Sequence, residues 1–362
     1  MSSIRSKKMT RREALSTVGK IATSVVITGV VAGVGGYYVG KTTGAAAPTA
    51  ANRLSVMTSI PEATAAEILS HAEKDLGIKI DLWRGSEGKG IAKVRAEAAA
   101  GKITEDAIFL YDYETFLIWK DEGYLIPYVP PGAKDLIVPP IPGGYGTPVI
   151  FSPLAFIVNT DVLSKEGLEP PKSWKDLTDP KWKGKIIAPD PLTSGTAFSI
   201  METLIQLFGE DGYFDFWKKV HPNIHHYEES GITITTLVAK GEFPIGITYD
   251  YTMYDVKLKG YPIDIIYPSE GVGYKTECVG ILRDIPAERL ELAKEFINWA
   301  TSPKGMKWYA EVGHLYPTIP KGVTLPDYMT PWDKLPLVHY DRAYFAENRD
   351  RLVKKWAEIF KG

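Results

Sequence analysis

The chain has 362 residues, 44% hydrophobic and 11% aromatic, more than one hydrophobic core usually serves and too apolar for a disordered chain. Its formal charge of −2 conceals an asymmetry: residues 1–50 carry seven Lys or Arg against Glu13 alone, a local +6, so the remainder stands at −8 with 35 basic and 43 acidic residues. That acidic body repels a phosphate backbone, so no nucleic-acid partner is expected; the lone Cys278 excludes an internal disulfide, a Cys-based zinc site and an iron–sulfur cluster.

Ile21 to Gly40 is an uncharged stretch of twenty residues between Lys20 and Lys41. As a helix it reaches about 30 Å, the hydrocarbon thickness of a bilayer, although Gly29, Gly33, Gly35 and Gly36 dilute it. The basic flank lies on its N-terminal side, which places the rest of the chain outside the cytoplasm. Thr10-Arg11-Arg12-Glu13-Ala14-Leu15 is similar to a twin-arginine export signal, with Ala14 where a bulky apolar residue is usual, and Ala45-Ala46-Ala47 offers a cleavage site. Residues 1–52 are therefore read as an export signal or membrane anchor ending in a flexible tether. The working part is extracytoplasmic, anchored or secreted.

Leu54–Met57 reads as a first strand, and Pro61-Glu62 opens a helix with Ala65, Ile68, Leu69, Ala72 and Leu76 on one face, ended by Gly77. Ile78–Trp83 is the second strand. Ser86 is the expected N-cap of a helix over Ile91–Ala100, Ala107–Tyr111 the third strand, and Asp112 the cap of a helix running past Trp119. This alternation predicts a parallel sheet covered on both faces, with a ligand beyond the carboxyl ends of its strands: Thr58-Ser59, Arg84-Gly85-Ser86 and Tyr111-Asp112. Val149–Val158 is an apolar run able to cross between lobes. A second set follows: strand 185–188, helices 194–208, 213–220 and 232–239, and strand 245–248. Ile263–Tyr267 is expected as the return strand, with helices over 286–301 and 303–311 completing the first lobe and a terminal amphipathic segment, 349–360, left without a place. The fold class is α/β: two doubly wound lobes on a hinge, preceded by the hydrophobic helix. Lobe one is 53–148 with 268–320, lobe two 149–267, and 321–362 a helical C-terminal segment.

Pro171-Lys-Ser-Trp174-Lys-Asp-Leu177-Thr-Asp-Pro180-Lys-Trp182-Lys-Gly184-Lys-Ile186, followed by Pro189 to Thr196, resembles the matching stretch of extracellular solute-binding proteins of ABC importers. The type is that of ferric iron, thiamine, 2-aminoethylphosphonate and sugar phosphates, family 1, with the type II periplasmic-binding-protein architecture. The likeness covers about Arg53 to Pro320, including Met57-Thr-Ser-Ile-Pro-Glu62. It implies two lobes closing over a small solute, delivery to permease transmembrane subunits, a monomer and no enzymatic activity. An exported hydrolase or transferase is the alternative of another class, but the chain has no G-x-S-x-G elbow, HExxH or P-loop.

Ser194-Gly195-Thr196 is the best-motivated ligand site: a turn that opens a helix offers free N–H groups, two hydroxyls and a positive dipole end to a phosphate, phosphonate or carboxylate. Gly85-Ser86 repeats that logic in the opposite lobe, and Thr58 and Ser59 stand where family members place a ligand contact. Tyr249, Asp250 and Tyr251 follow a strand on the expected cleft side. With Trp83 the tyrosines can form an aromatic wall for a ring or an organic cation such as thiamine. The iron-binding members place two consecutive tyrosines near this point. Here Asp250 separates them, and extended backbone would send Tyr249 and Tyr251 to opposite faces. Fe(III) as cargo through Tyr249, Asp250 and Tyr254 is therefore the alternative to a phosphonate, phosphate ester or thiamine-like solute; no resident cofactor is expected. His221, His225 and His226 are read as surface residues of a loop.

Overall fold

Leu54, Val56 and Met57 are fully buried and make Arg53–Thr58 (β1) the centre of a three-stranded parallel array. The computed structural model describes residues 52–339 and 341–361. β2 (Lys79–Arg84) flanks β1 on one side and β3 (Ala107–Asp112) on the other. Helices α1 (Glu62–Leu76) and α2 (Glu87–Ala99) connect them, and α3 (Tyr113–Asp121) follows. Gly77 closes α1 in the left-handed conformation, φ 68°, with its N–H on the Glu73 carbonyl, a position where a Cβ is strained. Asp112 caps α3 through Thr115 N at 2.9 Å as expected. Ser86 does not: α2 begins at Glu87, not Ile91, and the Ser86 side chain makes no capping bond.

The parallel order stops at β3. β10 (Tyr274–Leu282) pairs antiparallel with both β3 and β5 (Thr147–Asn159), producing a mixed sheet in the order β2-β1-β3-β10-β5-β8-β6-β7. All thirteen residues of β5 are buried. Its first half pairs with β10 and β11 (Tyr316–Pro317), its second with β8 (Ile245–Tyr249) and β9 (Ile263–Ile266). β5 is thus the one strand common to two wings, and the extended run read from sequence has that role. A short β4 (Leu125–Ile126) pairs with β10. In the second wing β6 (Ile186–Pro189) lies parallel between β8 and β7 (Ile224–Glu228), with α4 (Thr160–Glu166), α5 (Gly195–Phe208), α6 (Glu210–Val220), α7 (Gly231–Ala239) and α8 (Tyr251–Leu258) around them. α9 (Ala287–Ala300) and α10 (Pro303–Gly313) pack on the first wing.

Two expectations are corrected here. His225 and His226 lie on β7 and not in a loop. The segment 263–267 pairs with β5 inside the second wing, and β10, unanticipated, carries the chain back to the first. The terminal helix, α11 (Arg342–Phe360), also acquires a place: Phe345, Leu352 and Trp356, at most 1% exposed, enter the second-wing core beside Trp174, Leu204, Tyr213 and Trp217. The tryptophan-rich stretch is structural. Trp174 donates its indole N–H to the Gly271 carbonyl at 2.8 Å and meets Phe156 edge-on, and Trp182 is fully buried. The predicted N-terminal hydrophobic helix lies outside the described residues, among which no helix is long and apolar enough to cross a membrane.

Candidate functional site

The candidate residues fall into two groups at the strand ends, and the first-wing group centres on Lys275. Lys275 and Glu277 alternate along β10 onto one face, so their side chains meet at 2.9 Å. Glu277 stands opposite Asp112 in the β10–β3 register. Glu87, the first residue of α2, reaches the same ammonium at 2.9 Å. Burial alone would push the Lys275 pKa down; Glu277, Glu87 and Asp112 outweigh it and hold the ammonium well above the usual lysine range. The same burial raises Glu277 and Asp112, with Lys275 pulling each back only in part, whereas at Glu87 burial is overcome by Lys275 and the carboxyl stays low. Glu277 Oε2 is buried without a hydrogen-bond partner. Three carboxyls therefore share one ammonium. Two of them, Asp112 and Glu277, are the groups most ready to take a proton.

The sequence-derived residues of the first wing surround this cluster. Ser59 gives its N–H (3.3 Å) and hydroxyl (3.1 Å) to the Leu110 carbonyl. Leu110 presents that carbonyl from φ 56°, left-handed backbone that costs a leucine about 1 kcal/mol, beside the bulge at Cys278/Val279. Gly85 is needed for close approach: a Cβ there would stand 2.2 Å from the Trp83 ring, which folds back over it, while its carbonyl accepts from Tyr111 Oη at 3.2 Å. Ser86 is exposed, and Thr58 is fully buried with Oγ1 unpartnered.

In the second wing Ser194 precedes α5 and leaves its first N–H groups uncapped by any side chain, in contrast to Ser230, which accepts from Ile232 N at the start of α7. The two helix starts come together. A Cβ on Gly231 would meet Thr196 Oγ1 at 2.7 Å and Thr248 Oγ1 at 2.8 Å, so glycine there lets two hydroxyls and two positive helix ends share a small space. One residue further along β8, Tyr249 donates to Ser199 Oγ at 2.8 Å. Burial raises its pKa, and Lys275, from the other wing, draws it back; Tyr251 is affected in the same way. No direct contact joins the Thr196–Thr248–Gly231 group to the Lys275 group. The end of β8 links them.

Asp250 is placed otherwise than expected. It is in helical, not extended, backbone and begins α8, so the faces of Tyr249 and Tyr251 are not set by strand alternation. Its carboxyl, fully buried, accepts from Tyr267 Oη at 2.6 Å; Tyr267, Tyr254 and Tyr316 bond among themselves, and Tyr254 Oη accepts from Thr330 N. Tyr249 and Tyr254 thus serve separate networks, and the described residues contain no cluster of His, Cys, Asp or Glu able to hold a metal ion. Lys275, Glu277 and Thr248 escaped the sequence reading as candidate site residues. The alternation Tyr274-Lys-Thr-Glu-Cys-Val was the signal for β10.

A family model described as bacterial extracellular solute-binding protein matches residues 67–337. An uncharacterized protein of Haemophilus influenzae is 33% identical over 294 residues, 78% of this chain and 84% of its own. The periplasmic binding protein AfuA of Actinobacillus pleuropneumoniae, solved with exogenous fructose 6-phosphate bound, is similar at 31% identity and TM-score 0.72, over 85% of this chain and 98% of that one. Iron-bound HitA of Pseudomonas aeruginosa shares the fold at 20% identity, TM-score 0.70, over 84% and 98%.

Proposed function

This chain belongs to the bacterial extracellular solute-binding proteins, and we propose that within that family it captures a small solute bearing a phosphate or phosphonate group between its wings. It acts outside the cytoplasm as the substrate-binding subunit of an ABC importer. One observation carries the ligand site: Glu87 and Glu277 touch the Lys275 ammonium, and Tyr251, from the second wing, packs against the cores of both wings. Lobes drawn at 53–148 with 268–320 and at 149–267 hinge about this point, and solute shifts their equilibrium toward closure. The membrane permease receives it. An N-terminal export signal, retained as an anchor or cleaved, belongs to the same proposal on sequence grounds alone.

An anion entering this acidic surrounding needs compensation. Lys275 supplies one charge and the uncapped start of α5 the dipole and its free N–H groups. The 31% identical relative solved with a sugar phosphate favours this class. Ferric iron is the weaker reading, because burial raises the Tyr249 pKa and its phenol already donates to Ser199. The variant Ser194→Ala/Thr196→Val is expected to weaken binding of fructose 6-phosphate or 2-aminoethylphosphonate, whichever the protein takes, by about 1–3 kcal/mol, as for loss of two buried hydrogen bonds to a charged group. Calorimetric titration measures it. Unchanged affinity removes the start of α5 from the site.

A further inference from the structure

The terminal helix α11 is built into one wing and reaches the other through its first residue. Phe345, Leu352 and Trp356 fix it in the second-wing core. Arg351 and Lys355 add bonds of 2.7–2.9 Å to Glu210 at the start of α6, drawing that carboxyl down to about 2. The segment before it is fastened to the link between wings, where Val272 N meets the Pro336 carbonyl and Val338 N the Val272 carbonyl, each at 2.8 Å. Arg342, the first residue of α11, then crosses. Its Nη1 lies 2.5 Å from Glu114 Oε1 on α3, and its Nη2 donates to Thr276 Oγ1 on β10 at 2.9 Å. The guanidinium also lies over the rings of Tyr113, at 4.7 Å, and Tyr274, at 5.7 Å. These four partners belong to the first wing, while Glu202 on α5, in the second, also feels the guanidinium's charge. Arg342 is 12% exposed but Glu114 39%, so the pair is shielded on one side only and stays within reach of salt. Thr276 faces away from Lys275 along β10, so its hydroxyl lies on the other face of the strand from the Lys275 cluster.

We propose that Arg342 is a latch: anchored through α11 in the second wing and engaged with Glu114 and Thr276 in the first, it sets how much of the protein stands with its wings together. The latch acts before any solute arrives. Its geometry, one nitrogen on an acid, another on a hydroxyl and the plane over two rings, specifies arginine, since a lysine has neither the planar fork nor the stacking face. Opening the wings would strip Arg342 of its acid, its hydroxyl and both rings together, so the compact state and the engaged guanidinium are one population.

The test uses the full-length protein without solute, so its failure is distinct from failure of the solute site. Lys102→Cys in the first wing and Lys240→Cys in the second, both exposed, accept a donor–acceptor dye pair, and the native Cys278 is buried. Single-molecule energy transfer then reports the distance between wings. Arg342→Gln and Glu114→Gln are each expected to raise the ratio of long-distance to short-distance molecules roughly tenfold, a shift worth about 1.4 kcal/mol. The double variant should do no more than either single one, and Arg342→Lys should fall between. Arg349→Gln, whose guanidinium lies over Phe198 inside the second wing, should leave the ratio unchanged. Independently of any variant, raising salt to 1 M should lengthen the distance in the unsubstituted protein. Identical distributions in folded Arg342→Gln and Glu114→Gln, additive effects in the double variant, or a distance indifferent to salt would each overturn the latch.

Discussion

Replacing Lys275 with methionine is expected to abolish solute capture and to lower stability at neutral pH by about 3 kcal/mol, the range seen when one partner of a buried ionic cluster is removed. Glu87, Glu277 and Asp112 would then face one another without a cation. Burial already places Asp112 and Glu277 above the ordinary carboxyl value, and losing Lys275, which pulls both down, sends them higher. A carboxyl with a raised folded pKa adds stability that is complete below its unfolded value and lost as pH rises through the folded one. The deficit of Lys275→Met should therefore shrink between pH 8 and pH 5. Thermal melts across that range measure it, and a deficit that is constant with pH would show that the three carboxyls are not coupled through Lys275.

Asp250→Asn should do the opposite and stabilise the protein in mild alkali. Asp250 is fully buried, and burial, eased in part by the Tyr267 hydrogen bond, raises its pKa to about 8. Its contribution is whole below the ordinary carboxyl range and is lost as pH climbs to about 8, at up to about 1.4 kcal/mol per pH unit. Asparagine keeps the acceptor for Tyr267 and has no proton to lose, so the melting temperature of the variant should vary less between pH 5 and 8 and exceed that of the unsubstituted protein at pH 8. Glu202, pushed to about 8 by burial and by Glu114, adds a second slope of the same sign and remains in the variant. Equal slopes in the two proteins would mean that Asp250 is ionised in the folded state.

The first three strands and their helices were legible because period-two and period-3.6 patterns alternate cleanly there, with Pro61 and Gly77 as punctuation. The crossing strand was legible as one long apolar run, and Ser194-Gly195-Thr196 as a helix start. Lys275 was not. Its strand carries Lys, Thr and Glu within a buried ladder, and those charges are tolerated only because the Glu277–Asp112 register and the start of α2 gather their partners from distant sequence. The directions of Tyr249 and Tyr251 depended on one backbone choice, Asp250 entering a helix, which overrides strand alternation. The left-handed Leu110 and the reach of Arg342 follow from tertiary packing and leave no local pattern.

The solute site itself is tested most directly by titrating the full-length protein while following emission from its nine tryptophans, with fructose 6-phosphate, 2-aminoethylphosphonate and inorganic phosphate in separate runs. One of the two organic anions should give a saturable change, absent in Lys275→Met, with the solute recovered chemically intact. Response to neither, or steady conversion of the added compound, would contradict capture of a phosphorylated or phosphonate solute between the wings.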